Sequence, residues 1–479
     1  MKSTKIVCTI GPSSHDENTI AEMIKKGMNI ARMNLSHGSY QFHSKTVEMT
    51  RNASEMLHEY TGILLDLQGP KIRTGKLKKE TVVLNRGDKI TLTTEETLGD
   101  WKRLSINYSL LPEEAEIGER IFLDDGNIEL TVVDIHEKSI VCSIVNGGVI
   151  RSFRGINLPD TKISAPALTE KDIKDLDFGL KMKVDYIALS FVRRPEDIID
   201  LKERISKKRK DIPVVSKIEK PEAIDNIDEI IKVSDAIMIA RGDLGAETSP
   251  QDVPILQKMI IKKCNIAGKP VITATQMLES MISHPRPTRA EASDVANAIF
   301  DETDAVMLSG ETAIGEYPVE SVKVMADIAK RTEKEMNKVK AFGRDQNKFP
   351  QGKSVADSVC FSAYKITELL KPKLIVSFTM SGRTAVLMSK YRPPVPVIAM
   401  SPREEVLRRL SLYWGIRGVN IGMVQSTEEL FDTAEEIIIE NKLCKEDETV
   451  LFIGGVPVLA GEEANMMKVH KVNLQNKNI

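Results

Sequence analysis

The stretch Val214–Gly245, VVSKIEKPEAIDNIDEIIKVSDAIMIARGDLG, decides the fold. It begins within an apolar run, IPVVSKIE, that ends on Lys217 and Glu219. A helical stretch follows, and then a second apolar run, DAIMIA, that ends on Arg241, Gly242 and Asp243. Two strands separated by one helix predict a parallel βαβ unit, in which both carboxyl ends open on the same side. That side is where α/β folds carry their chemistry. Two carboxylates and a lysine converging there suit Mg²⁺ with bound phosphate, since hard oxygens hold the ion and an ammonium neutralises negative charge. Either carboxylate alone reads as an ordinary loop residue; repetition of the pattern along the chain is what gives it weight.

Outward from this unit the same alternation continues. TKIVCTIG reads as a strand, Asp16 to Lys26 as a helix, MNIARMNL as a strand, Ser44 to Glu59 as a helix and GILLDLQG as the third strand. After a gap come VDYIALSF, IPVVSKIE, DAIMIARG, PVITATQM and DAVMLSGE. Eight strand-like runs with helical patterns between them predict a (β/α)8 TIM barrel over residues 1–70 and 163–340. The gap, residues 71–162, has another texture. VVLNRGDKITLTT, ERIFLDDGNIELTVVDI and SIVCSIVNGGVI are rich in β-branched residues, with turn signals at Asp125-Gly126 and Asn146-Gly147. It is expected to be a small inserted all-β domain, a β-barrel lid over the catalytic face. The polar stretch AFGRDQNKFPQGK reads as a linker. Beyond it, a helix from Ser354 to Leu370, KLIVSFT, a helix from Arg383, PVPVIAM and TVLFIGG predict a C-terminal open-sheet α/β domain within 341–479.

Composition narrows the class. The chain has 479 residues, 41% hydrophobic and 28% charged, which suits a globular protein of two to four domains. A net charge of −2 gives no electrostatic case for nucleic acid or membrane. Five scattered cysteines without CxxC spacing argue against a disulfide framework or zinc site. With no signal-like start and no run of membrane-spanning length, a cytoplasmic location is expected.

The tips of the predicted barrel strands carry the chemistry. The second ends in Arg32, Asn34, Ser36 and His37; the third in Asp66, leading to Lys71 and Arg73; the fourth in Ser190, Phe191 and Arg193. The fifth gives Lys217 and Glu219, the sixth Arg241 and Asp243, the seventh Thr275 and Gln276, the eighth Ser309 and Glu311. One such tip is noise, but seven of eight predict a site. Arginines, lysines and paired carboxylates around one cavity are the equipment of phosphoryl transfer, which rests on positioning and charge neutralisation. His37 alone reads as a structural hydrogen-bond partner and is given no catalytic proton.

The motifs CTIGPSS, ARMNLSHG, LLDLQGPKIRTG, FRGINLP, SKIE, MIARGDLG, ITATQMLESMISHPRPTRAEASDVANAIFD and MLSGETAIGEYP together closely resemble the pyruvate kinase family over nearly the whole chain. The resemblance implies transfer of the phosphoryl group from phosphoenolpyruvate to ADP, giving pyruvate and ATP in glycolysis. It implies a divalent ion, Mg²⁺ with Mn²⁺ as an alternative, on Glu219 and Asp243, and a second ion arriving with the nucleotide. Lys217 matches the lysine that steadies the phosphoryl group and enolate charge, and Arg32 the arginine gripping the transferring phosphate. Arg241, Gly242, Asp243 and Thr275 match the cradle of the substrate carboxylate; Thr275, through water and Ser309, lies where the enolate is protonated. Pro12, Asn34, His37, Arg73 and Arg154 match nucleotide positions, although the family often has lysine where this chain has Arg154 and tyrosine where it has Phe42. A homotetramer and a phosphorylated allosteric effector are also implied, the latter at Thr379, Ser381, Gly382, Arg383 and Thr384 in SFTMSGRTA. Small hydroxyls and free N–H groups at a helix start can hold phosphate, although they equally serve as helix caps. The C-terminal stretch GGVPVLAGEEANMMKVHKV lacks the loop of fructose-bisphosphate-responsive eukaryotic members, and the extra C-terminal domain of some bacterial members is not expected.

One departure is informative. Many members hold K⁺ on groups matching Asn34, Ser36, Asp66 and the residue at Leu67, with threonine, lysine and glutamate where this chain has Leu67, Gln68 and Lys71. Leucine offers no side-chain oxygen, and the Lys71 ammonium could serve in place of the ion. No K⁺ requirement is therefore expected. Two other classes share parts of this pattern. Enolate-forming lyases share the barrel and the paired carboxylates, but have no need of a nucleotide-closing lid. A silent effector-binding paralogue would have lost Lys217, Glu219, Asp243 or Thr275, and all four are present.

Overall fold

The computed structural model describes residues 2–124, 126–340, 354–457 and 462–473. The chain opens with strands β1 (Lys5–Thr9), β2 (Ile30–Asn34) and β3 (Gly62–Asp66). The insertion follows with β4 (Thr81–Leu84), β5 (Lys89–Thr93), β6 (Arg103–Ser105), β7 (Arg120–Leu123), β8 (Ile128–His136), β9 (Ser139–Asn146), β10 (Gly148–Arg151) and β11 (Ile156–Asn157). Then come β12 (Tyr186–Val192), β13 (Val214–Ile218), β14 (Ala236–Ala240), β15 (Val271–Ala274) and β16 (Ala305–Leu308). The first three and last five of these close into one parallel barrel in the order β1-β16-β15-β14-β13-β12-β3-β2. The predicted eight-stranded barrel is therefore the fold.

The barrel closes because its strands are apolar on both faces, as parallel strands covered by helices must be. Inward side chains, among them Val7, Ile30, Leu64, Tyr186, Val215 and Met238, form one buried cluster. Outward ones pack under the helices. The second helix begins at Tyr40 and ends at Met56, not at Ser44 and Glu59 as expected. Ser39 caps it, its hydroxyl accepting from the Phe42 N–H at 3.2 Å, and His58, at φ 52°, follows its end. The capping serine sits in the polar stretch SHGSYQ, where no apolar periodicity marks the helix start.

Among its described residues the insertion is built of strands, apart from one short helix, Leu111–Glu114. Its hydrogen bonds form a six-stranded sheet, β11-β7-β8-β9-β5-β6, and a separate pair, β10-β4. This differs from the continuous ring of a β-barrel: the two edges are joined by single bridges, Arg73 to Gly155 and Thr74 to Ile106. Of the two predicted turns, Asp125 lies outside the described residues. Asn146-Gly147 is not a hairpin turn, since β10 leaves β9 to pair with β4. A Cβ on Gly147 would stand 2.2 Å from the Leu84 carbonyl oxygen, so the glycine permits that change of partner. The predicted linker over 341–353 also lies outside the described residues.

The C-terminal sheet runs β19 (Ile416–Asn420), β18 (Val397–Ser401), β17 (Ile375–Phe378), β20 (Thr449–Gly454) and β21 (Met466–Lys471), the last antiparallel. Leu412 from this domain joins the barrel's inner cluster. At the same end, the Tyr186 hydroxyl donates to the Arg409 carbonyl at 2.5 Å. Arg392 pairs with Asp304 at 2.9 Å with both side chains buried. Burial pushes the Asp304 carboxyl above its ordinary value, and Arg392 works against that shift. Arg392→Met is therefore expected to destabilise the protein by about 3–5 kcal/mol, because it strands a buried carboxylate; a urea titration reads this as a lower midpoint. No helix of the described residues is long and apolar enough to cross a membrane.

Candidate active site

Strand register assembles the site at the carboxyl ends of the barrel. Thr9 lies beside Arg32, Asn34 beside Asp66, and Asp66 beside Ala188. Arg32 pairs with Leu64 and so shares a face with Asp66 two residues on; its Nε donates to Asp66 Oδ2 at 2.7 Å, while its Nη1 donates to the Thr9 hydroxyl at 2.8 Å. Lys217 sits between carboxylates, with Nζ 2.9 Å from Glu219 Oε1 and 3.3 Å from Asp66 Oδ1. It also donates to the Ser190 hydroxyl at 2.7 Å.

The electrostatics follow from burial. Desolvation alone would discharge Lys217, but Asp66 and Glu219 outweigh it and hold the ammonium well above its ordinary value. Burial opposes the Asp66 carboxylate as well, yet Lys217 and Arg32 keep it below its usual range. Glu219 is the opposite case. Burial pushes its carboxyl up, Lys217 pulls it down, and the neighbouring Asp243 pushes it up again. Two carboxylates that repel one another, one of them buried, are a donor set that fits a hard divalent cation. Among the described residues no group of three or more His, Cys, Asp or Glu side chains is placed to hold a metal by itself. Glu219 and Asp243 are two, which suits an ion that completes its shell with substrate oxygens and water.

The tip of β15 is preformed. Thr275 and Gln276 both adopt left-handed backbone, φ 65° and 54°, a conformation side-chain-bearing residues adopt only at a cost. Arg241 holds it in place: its guanidinium donates to the Thr275 carbonyl at 2.7 Å and the Gln276 carbonyl at 3.1 Å, and pairs with Asp294 at 2.8 Å. The helix Arg241–Glu247 opens directly at the end of β14, and the Gly242 N–H donates to the Thr275 hydroxyl at 2.8 Å. Arg241 is thus a scaffold for this corner. Ser309 lies at the next tip; its buried hydroxyl has no hydrogen-bond partner, and its N–H donates to Glu311 at 2.7 Å.

The remaining predicted residues divide. Lys71 lies 3.8 Å from Asp243, rather than on Asp66, whose oxygens are taken by Arg32 and Lys217. Asn34 Oδ1 accepts from the Ser36 N–H at 3.1 Å, and Leu67 is fully buried. Burial lowers the His37 pKa, and the neighbouring Arg73, Lys71 and Arg32 lower it further, so an imidazole and three cations share one region. Pro12 opens a short 3-10 turn on the barrel rim. Arg73 donates to the Phe153 carbonyl at 3.1 Å, and Arg154 pairs with Asp124 at 3.4 Å, both inside the insertion. Between the insertion's Phe122 and Gly126 and the barrel's Arg241, Gly242, Gln276 and Asp294 lies a cleft of about 490 Å³.

Far from this centre, Thr379, Ser381, Arg383 and Thr384 line a cavity of about 370 Å³ in the C-terminal domain. Gly382, at φ 89°, precedes the helix Arg383–Lys390, and its N–H donates to the Thr379 hydroxyl at 2.8 Å. Sequence reasoning missed Thr9 and Asp294 in the barrel. Thr9 was legible as the tip of the first strand, whereas Asp294 sits within the helix Arg289–Phe300 and carries no local signal.

Comparison with known proteins places this geometry in a family. Residues 1–322 match the model "Pyruvate kinase, barrel domain" and residues 357–470 match "Pyruvate kinase, alpha/beta domain". The chain is 44% identical over 474 residues to pyruvate kinase of Clostridium perfringens, covering 98% of this chain and 100% of that protein. It is 42% identical over 475 residues to pyruvate kinase of Geobacillus stearothermophilus, covering 98% and 81%. A pyruvate kinase structure from Cryptosporidium parvum superposes with a TM-score of 0.91 at 37% identity, over 98% of this chain and 96% of that one. The chain belongs to the pyruvate kinase family of phosphotransferases.

Proposed function

We propose that the chain transfers the phosphoryl group of phosphoenolpyruvate to ADP, as a cytoplasmic glycolytic enzyme and a homotetramer, with residues 71–162 as lid, residues 1–70 and 163–340 as catalytic barrel and residues 341–479 as regulatory domain. The observation that carries this reading is the buried Lys217 ammonium held between Asp66 and Glu219 at the barrel mouth. An ammonium kept charged in a dry site is preorganised for the charge that moves off the phosphoryl group onto the enolate oxygen. Arg32, fixed by Thr9 and Asp66, presents its planar fork to the transferring phosphate. Gly242 and Asp243, at the opening of a helix, and Thr275 receive the substrate carboxylate. Arg241 orients that corner through the Thr275 carbonyl. Thr275, together with the unpartnered Ser309 hydroxyl and water, is the route by which the enolate carbon gains its proton.

Glu219 and Asp243 would hold the divalent ion, Mg²⁺ or Mn²⁺, which supplies neutralisation of phosphate and enolate charge when bound. Pro12, Asn34, His37, Arg73 and Arg154 receive the nucleotide, and His37 does so uncharged because burial and three neighbouring cations oppose its protonation. Thr379, Ser381, Gly382, Arg383 and Thr384 receive a phosphorylated effector.

The same reading dispenses with K⁺. Leu67 brings no oxygen ligand, and Lys71 places a fixed positive charge beside Asp243 and within electrostatic range of His37. Pyruvate formation from phosphoenolpyruvate, ADP and Mg²⁺, run with K⁺ or with a tetraalkylammonium salt at equal ionic strength, is the test. Equal turnover is expected. A strong stimulation by K⁺ would keep the transferase and remove Lys71 from the cation's role, whereas no turnover under either salt would remove the transferase.

A further inference from the structure

Outside the catalytic cluster, the insertion meets the barrel through a buried polar group that the reaction does not explain. Asn157 ends β11, and its Nδ2 donates to Glu247 Oε1 at 2.8 Å. The same oxygen takes Lys220 Nζ at 2.7 Å. All three side chains are buried: Asn157 is 8% exposed, Lys220 5% and Glu247 2%. Their places in the chain matter more than their burial. Lys220 directly follows Glu219. Glu247 closes the short helix whose first turn carries Asp243. Asn157 belongs to the insertion, where β11 pairs with β7 through Ile156–Leu123 and Asn157–Phe122 only.

We propose that Asn157, Glu247 and Lys220 form a positioning latch, through which seating of the lid fixes the loop of Glu219 and the helix of Asp243. It rests on the reading of Glu219 and Asp243 as the metal's ligands. Glu247 Oε1 carries both donors while Oε2 is buried without a partner. A buried carboxylate satisfied on one oxygen only depends heavily on each donor it has, since losing one leaves a polar group dry and unpaired. When the lid swings away, the Asn157 amide leaves with it, and Glu247 and Lys220 must readjust. The loop and helix attached to them then lose their fixed spacing. By linkage, an ion that needs that spacing must in turn favour the seated lid, by the same factor.

The test needs no turnover. Hydrogen–deuterium exchange is followed at the Ile156 and Asp124 amides, which donate to Ile72 and Gly155 at the lid's base, with and without Mn²⁺ and with neither substrate present. Mn²⁺ affinity is measured in parallel by calorimetry. In the unaltered protein Mn²⁺ is expected to slow exchange there by about fivefold, an ordinary coupling between two sites. In Asn157→Ala the slowing disappears and Mn²⁺ affinity falls by about the same factor. Asn157→Ser, whose hydroxyl is too short to reach Glu247, repeats the comparison should the alanine variant fold poorly. Equal Mn²⁺-induced slowing in variant and unaltered protein overturns the latch and leaves the metal site standing. Absence of calorimetric Mn²⁺ binding to the unaltered protein overturns the metal reading, and the latch falls with it.

Discussion

Lys217→Met is expected to lower turnover by about 10³-fold, the scale of removing a charge group that acts on the transition state. The variant keeps the length of the side chain and removes the ammonium that lies 2.9 Å from Glu219 and 3.3 Å from Asp66. Turnover falls rather than affinity, because Arg32, Gly242 and Thr275 still meet the substrate and only the group facing the developing enolate is lost. A second effect accompanies it. Asp66 and Glu219 are each about 1% exposed at the side chain, and Asp66 alone retains a cationic partner in Arg32. Stranding Glu219 costs about 3–5 kcal/mol of stability unless the carboxyl takes up a proton. Steady-state kinetics and a urea titration separate the two effects. Unchanged kcat with a lowered urea midpoint would make Lys217 a structural residue only.

Glu219→Gln is expected to act on the metal before it acts on the chemistry. The amide has the same shape, accepts through one oxygen and carries no charge, so the repelling pair Glu219–Asp243 becomes a single carboxylate. Mn²⁺ affinity should fall by more than the 10–100-fold typical of groups that merely support metal ligands. Turnover at fixed Mg²⁺ should fall by about 10³-fold or more, with partial recovery as the ion concentration is raised. The Phe191 N–H, which donates to Glu219 Oε2 at 2.8 Å, keeps an acceptor only if the amide oxygen turns toward it. That geometry leaves the amide N–H₂ facing Lys217, which adds to the loss. Calorimetric titration with Mn²⁺ decides the matter: unchanged affinity would take Glu219 out of the metal site.

The barrel and most of its mouth were legible in the sequence because parallel strands announce themselves twice. Their interiors are unbroken apolar runs such as DAIMIA, and their carboxyl ends are abrupt polar turns such as RGD. A residue's place at a strand tip is a local property, so Arg32, Asp66, Lys217, Glu219, Asp243 and Thr275 are all visible as strand-tip residues in the sequence alone. Element edges were less legible. The Ser39 cap and the departure of β10 at Gly147 depend on single backbone positions inside polar stretches.

What only the tertiary structure decided is which of these groups face one another. Register sets Thr9 beside Arg32 and Asn34 beside Asp66, because neighbouring strands slide in whole residues and one step reverses the face of every side chain. Arg241 turned out to brace Thr275 and Gln276, a role set by a guanidinium reaching across to carbonyls more than thirty residues away. Lys71 faces Asp243 rather than Asp66, because Arg32 and Lys217 already occupy that carboxylate. Asn157 and Glu247, 90 residues apart, carry no shared pattern at all. By itself the sequence determined the strands, their order and the chemical identity of the strand tips. Distances between side chains from different strands arise only when the barrel closes, since they depend on register and burial, which no local run of residues encodes.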